Sequence, residues 1–164
     1  MKTAAHDRLT WAGDKVVRTL RFSHADIAAF ARMTFDENPL HLDSQLAQQA
    51  RFGEIIASGQ QSAAILMGML ASHCSRSDDG VARQMLCLNM NFAFKRPVFA
   101  DQKVQFQWVA ANVEWNQKLH GMLAHFNGRA AVAHASPAVV ARGTVLMTLA
   151  GAEATLKTPT RLAP

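Results

Sequence analysis

The sequence has no tyrosine and, among its 164 residues, only two cysteines and five prolines. Two thiols, Cys74 and Cys87, supply no disulfide framework and read as reduced, buried residues of an intracellular protein. Charged side chains make up 18% of the chain, below the usual ~25%. Seventeen Lys and Arg against twelve Asp and Glu leave a net charge of +5. The basic residues are scattered, with no cluster and no basic amphipathic helix, so nucleic-acid binding is not expected. A positive balance does suit an anionic small molecule. No run approaches the ~18 apolar residues of a membrane span. The first residues, MKTAAHDRLTWAGDKVV, hold no apolar stretch of signal-peptide length. No membrane is expected as a partner, and the expected location is cytoplasmic. There is no Gly-rich phosphate loop or dinucleotide fingerprint. His73, Cys74 and Cys87 lack C-x-x-C or H-x-x-x-H spacing. Neither a metal nor a cofactor is expected.

What is present is hydrophobic mass: 49% of the chain, with nine Phe and three Trp. A chain of this length buries about 70% of its unfolded surface and needs no staple. No repeat, low-complexity segment or linker interrupts it, so residues 1–164 read as one domain, with a frayed tail from about residue 151. Lys15–Phe22 alternates as a first strand. Ser23 and Asp26 form a capping-box start to a helix over 24–33, with Ile27, Phe30 and Ala31 on one face. Asn38-Pro39 breaks the periodicity, because the residue before proline is pushed out of the helical region. A short helix follows over about 43–51, with Gly53 as its left-handed cap.

Residues 60–73 predict a helix whose core, AAILMGMLA, is apolar all round, which implies burial on every side. After a polar loop the period becomes two. Leu88, Met90, Phe92 and Phe94 share one face, and Val104, Phe106 and Trp108 alternate with polar neighbours. Thr144–Leu149 reads as another strand. The stretch from Asn127 to Pro137 matches no template, and Asn127-Gly128 is compatible with a hairpin turn. The layout is α+β, an antiparallel sheet against a central helix.

Two elements carry chemistry. Asp36-Glu37-Asn38-Pro39-Leu40-His41 places a carboxylate and an imidazole five residues apart across a rigid turn, where they can converge on one water as an acid/base pair. The bland alternative is that Asp36 and Asn38 form a turn and His41 caps the next helix. Ala57-Ser58-Gly59 precedes the apolar helix, where free N–H groups and a bare backbone suit an oxyanion. The alternative there is a simple tight turn.

Together, F-x-x-x-T-F-D-E-N-P-L-H-L-D, R-F-G-E-I-I-A-S-G, the apolar helix and F-A-F-K-R-P-V-F-A-D resemble the MaoC-like (R)-specific enoyl-CoA hydratases, from about Phe22 to Ala110. The resemblance implies a hot-dog fold and a homodimer. It implies Asp36 and His41 as the catalytic pair and Gly59 N–H as the donor to the acyl thioester oxygen. Asn38 would order the loop, and with Ser58 would contribute to substrate binding. The implied substrate is a trans-2-enoyl thioester of coenzyme A or acyl carrier protein, hydrated to the 3-hydroxyacyl thioester or formed by the reverse dehydration. Ser58-Gly59-Gln60-Gln61 is more polar than the His-Gly-Met pattern of many short-chain members. A hot-dog thioesterase and a non-catalytic acyl-thioester-binding domain are the alternatives, since one fold serves several functions.

Overall fold

The computed structural model describes residues 9–133 and 135–150. In chain order these form β1 (Lys15–Arg21), α1 (His24–Met33), α2 (Pro39–Leu42), α3 (Ser44–Gln49), α4 (Gly59–Cys74), β2 (Arg83–Phe94), β3 (Lys103–Asn116), β4 (Gly121–Val132) and β5 (Val139–Leu149). The tail from residue 151 lies outside the described residues. No described helix is long and apolar enough to cross a membrane.

The strands make one antiparallel sheet in the order β1-β3-β4-β5-β2. Its concave face presents Val104, Phe106 and Trp108 of β3, Phe126 and Ala130 of β4, and Val145 and Met147 of β5. Leu66, Leu70 and Cys74 of α4 join the same core. Non-directional apolar burial drives this layer together, and one polar tie fixes it: the Trp108 indole N–H donates to Leu66 O at 2.7 Å. The result is the hot-dog arrangement, an antiparallel sheet wrapped around a central helix.

Ser23 caps α1 as expected, with its hydroxyl accepting from Asp26 N–H while the Asp26 carboxylate accepts from Ser23 N–H. Gly53 has φ +74°, although α3 already ends at Gln49. Four expectations need correction. First, α4 is not buried on every side. Ser62, Ala63, Leu66, Leu70 and Cys74 face the core, whereas Ala64, Gly68 and Ser72 are exposed and Met67 is 41% exposed. The sheet covers one side of the helix only. Second, Asn127-Gly128 is no turn but the interior of β4. A Cβ on Gly128 would lie 2.5 Å from the Trp108 ring, so the glycine serves a close approach between neighbouring strands. Third, only Cys74 is a buried thiol, pushed up to about 12 by burial; Cys87 is exposed. Fourth, a β-bulge between Cys87 and Asn89 takes Leu88 out of the alternation, and it is exposed.

A buried cluster ties the turn before β1 to the C-terminal end of α4. Asp14 Oδ2 accepts from the Thr10 hydroxyl at 2.9 Å, lies 3.0 Å from His73 Nε2, and is 3.5 Å from an Arg76 guanidinium nitrogen. Burial alone would raise the Asp14 pKa. The Thr10 and His73 hydrogen bonds, with the charges of His73 and Arg76, outweigh it and hold the carboxyl below its ordinary value. A depressed carboxylate contributes stability that is present above its unfolded pKa and lost as pH falls through its folded pKa. Asp14→Asn is therefore expected to cost about 1–3 kcal/mol near neutral pH. The gap between variant and parent should close as pH falls into the acid range. Urea unfolding at a series of pH values checks this, and a gap that widens towards acid contradicts it.

Candidate active site

The loop that carries Asp36 begins with the way α1 ends. Thr34 is the C-cap, and Phe35 takes a left-handed conformation at φ 57°. Asp36 N–H then donates back to Ala31 O at 2.8 Å and Phe35 N–H to Arg32 O at 3.2 Å. This is a Schellman stop with phenylalanine where glycine is usual. Phe35 is 92% exposed, so its ring does not hold the turn; the left-handed backbone is uncommon for such a residue. The chain is thereby reversed and the Asp36 side chain is directed at α2.

Asn38, Leu40 and His41 are then each held by hydrogen bonds. Asp36 Oδ1 accepts from Asn38 N–H at 3.2 Å, and Asn38 Oδ1 accepts from Leu40 N–H at 3.1 Å as the cap of α2. Pro39 occupies the first helical turn, where its missing N–H costs nothing. His41 is buried, and its Nδ1 lies 2.8 Å from Ile56 O. The carbonyl can only accept, so Nδ1 carries a proton, and in the neutral imidazole Nε2 presents a lone pair. Ile56 is held in turn, donating its N–H to Leu40 O at 3.2 Å. Nε2 then faces Asp36 Oδ2 at 3.6 Å. That is too long for a direct hydrogen bond, and the gap is bounded by two acceptors.

From Ile56 the chain runs directly to α4. Ala57 N–H donates to Val98 O at 2.8 Å, Ser58 caps the helix, and Gly59 opens it. Ser58 Oγ accepts from Gln60 N–H at 3.3 Å and Ser58 O accepts from Gln61 N–H at 3.0 Å. Gly59 N–H has no partner among the described residues. The Phe94 ring lies against Gly59, where a Cβ would meet Phe94 Cδ1 at 2.7 Å.

His41, Gly59, Ser62 and Phe94 line one cavity of about 270 Å³, with Phe52, Ile56, Ala57, Val98 and Val139 as apolar wall. The structure thus brings Asp36, His41 and Gly59 into one neighbourhood. Asn38 and Ser58 are helix caps and do not line the cavity. Gln61 points its amide at α1, Nε2 to Asp26 O at 3.4 Å, with Oε1 buried and unpaired. Gln61 of the polar run after Gly59 is therefore a tie between helices, and neither Gln60 nor Gln61 lines the cavity. Sequence reasoning did not assign Phe94, Lys95 and Arg96 to the site, although they stood in the quoted F-A-F-K-R-P segment. Chain reversal at the end of β2 brings them there.

Comparison with known proteins follows the same outline. The family described as MaoC like domain matches residues 10–125. The (R)-specific enoyl-CoA hydratase of Aeromonas caviae is 33% identical over 92 residues, covering 56% of this chain and 64% of that protein. A mitochondrial 3-hydroxyacyl-[acyl-carrier-protein] dehydratase of Solanum lycopersicum is 22% identical over 102 residues, covering 62% of this chain and 57% of that protein. The chain thus spans less than two thirds of the length of these curated relatives. Among solved structures, an (R)-hydratase from A. caviae involved in PHA biosynthesis superposes with a TM-score of 0.73 at 25% identity, over 84% of this chain and 97% of that one. An R-hydratase from Pseudomonas aeruginosa gives 0.70 at 21% identity over 85% and 86%, a likeness of fold.

Proposed function

The chain belongs to the MaoC-like domain family, and from that premise we propose that it adds water across the C2–C3 double bond of a trans-2-enoyl thioester, or runs the reverse dehydration. One observation carries the reading. Asp36 and His41 face each other at 3.6 Å, and His41 shares its cavity with the open N-terminus of α4 at Gly59. A water lying to one side of the pair, about 2.8 Å from each acceptor, can bridge them. It donates to both, which leaves an oxygen lone pair for C3. The oxygen bonds to C3, and one water proton passes to the pair. The electrons of the double bond move towards the thioester oxygen, which Gly59 N–H stabilises as an enolate. A proton from the pair then reaches C2, so the elements of one water are added. The carrier of the thioester is coenzyme A or acyl carrier protein.

The test is a panel of crotonyl-, branched and longer enoyl-CoA thioesters followed by loss of enoyl absorbance, with thiol release read in parallel. Absorbance loss without free thiol is the expected result. Thiol release without hydration would make the protein a thioesterase. Tight binding of thioesters with neither reaction would make it a binding domain.

We also propose a homodimer. β2 is a terminal strand of the sheet, and it exposes Leu86, Leu88 and Phe94. A long apolar edge invites pairing, and a two-fold axis beside β2 would continue the sheet into a second copy. Light scattering is expected to give twice the chain mass at micromolar concentration; a stable monomer there overturns the proposal.

A further inference from the structure

We propose that Lys95 and Arg96 form a phosphate-binding rim that seats the carrier end of the thioester, a deepening that rests on the reading above. The cavity lining carries two distinct chemistries. His41 and Gly59 share the lining with apolar side chains and with Lys95 and Arg96, which follow Phe94 in the chain. No lining residue is acidic. Both cations are exposed, and no ion pair to a carboxylate engages either among the described residues.

Their backbone is fixed, which separates them from ordinary surface cations. Lys95 and Arg96 N–H groups both donate to Ala138 O, at 2.7 and 3.3 Å, just before β5. Pro97 follows, and Val98 O accepts from Ala57 N–H, two residues before the helix begins. The segment is therefore tied on one side to the sheet and on the other to the stretch that leads into Gly59. Phe94, the residue before the pair, lies on Gly59 itself. The backbone that carries the two cations thus stands in fixed register with Gly59. The backbone is ordered before binding, which lowers the entropy cost of holding a ligand.

Phosphate is the chemistry such a pair recognises. A guanidinium offers a planar fork of donors and an ammonium a compact charge, and both form charge-assisted bonds to phosphate oxygens. The phosphate that joins pantetheine to its carrier is common to coenzyme A and acyl carrier protein. Coenzyme A adds the phosphates of its nucleotide.

The experiment compares the parent with Lys95→Glu/Arg96→Glu on crotonyl-CoA, crotonyl-4′-phosphopantetheine and the phosphate-free crotonyl-N-acetylcysteamine. The reversal is expected to lower kcat/KM for crotonyl-CoA about tenfold or more beyond its effect on the phosphate-free thioester. Added salt should weaken the parent's advantage for crotonyl-CoA. A penalty shared by crotonyl-4′-phosphopantetheine assigns the phosphate common to both carriers. A penalty confined to crotonyl-CoA assigns the nucleotide phosphates. Equal penalties on charged and phosphate-free thioesters overturn the proposal. Lys95→Gln/Arg96→Gln keeps the test readable should the reversal variant not fold. Calorimetric binding of free coenzyme A gives a readout independent of turnover. Binding that weakens with loss of the two charges, in a parent that hydrates nothing, upholds the phosphate rim and removes the hydration reading. Hydration with charge-independent binding does the reverse.

Discussion

Asp36→Asn and His41→Ala are each expected to lower hydration of any active enoyl thioester by about 10²–10⁴-fold, the range of a general acid or base. The two variants disturb the structure differently, and this makes the comparison informative. Asp36→Asn keeps the shape and leaves an oxygen to accept from Asn38 N–H, an arrangement now 3.2 Å long. It replaces one of the two acceptors proposed to face the water with a group that carries no charge and takes no proton. His41→Ala removes the lone pair and also strands Ile56 O, which His41 Nδ1 now satisfies at 2.8 Å in a buried setting. A stability loss of about 1–3 kcal/mol should accompany it, so circular dichroism and thermal unfolding belong beside the kinetics. His41→Gln supplies a side-chain amide in place of the imidazole without its proton chemistry, and should be as inactive as His41→Ala. The double variant should lose little beyond the worse single one, because groups that hold one water act as a unit. Near-parental turnover in both single variants, on every thioester the parent hydrates, removes the pair from the mechanism.

The parts of this site legible in the sequence are those built by local rules. Ser23 and Asp26 form their capping box three residues apart, and α1 begins where that pair places it. Asp36, Asn38 and His41 lie within a six-residue loop whose internal hydrogen bonds fix it. What stayed hidden depends on contacts between distant segments. Gly128 is adjacent to an asparagine and so resembles a turn; only the Trp108 ring on the neighbouring strand explains why a strand carries glycine there. The tautomer of His41 is set by Ile56 O, fifteen residues on. Asp14 and His73 meet across fifty-nine positions. The end of β2 reaches the start of α4 because Val98 pairs with Ala57, and no periodicity in either segment signals that pairing. The core of α4, AAILMGMLA, is apolar in composition, but composition does not say what covers it. Its covering is incomplete within one chain, since the face bearing Ala64 and Met67 is open.

An ester in place of the amide N–H of Gly59 is expected to lower turnover by about 10²–10³-fold, or ~3–4 kcal/mol, while leaving the fold intact. The first turn of α4 shows why this one donor is available. Ser58 takes two of its N–H groups, that of Gln60 on its hydroxyl and that of Gln61 on its carbonyl. The N–H of Gly59 is left over at the positive end of a sixteen-residue helix, on the lining of the cavity that holds His41. A thioester oxygen gaining negative charge is a partner whose bond strengthens as the reaction advances, which is the condition for lowering a barrier. The ester removes that donor and changes shape little. Gly59→Ala makes the complementary change, since it retains the N–H and adds a methyl 2.7 Å from Phe94 Cδ1. Phe94 is 54% exposed and can swing away, so this variant should fold. Its turnover should fall because the methyl and the displaced ring occupy the space of the thioester. Joining Gly59→Ala with Phe94→Ala relieves the ring clash and should restore stability more fully than turnover. A folded ester variant that turns over substrate within about threefold of the parent would make Gly59 a turn residue and nothing more.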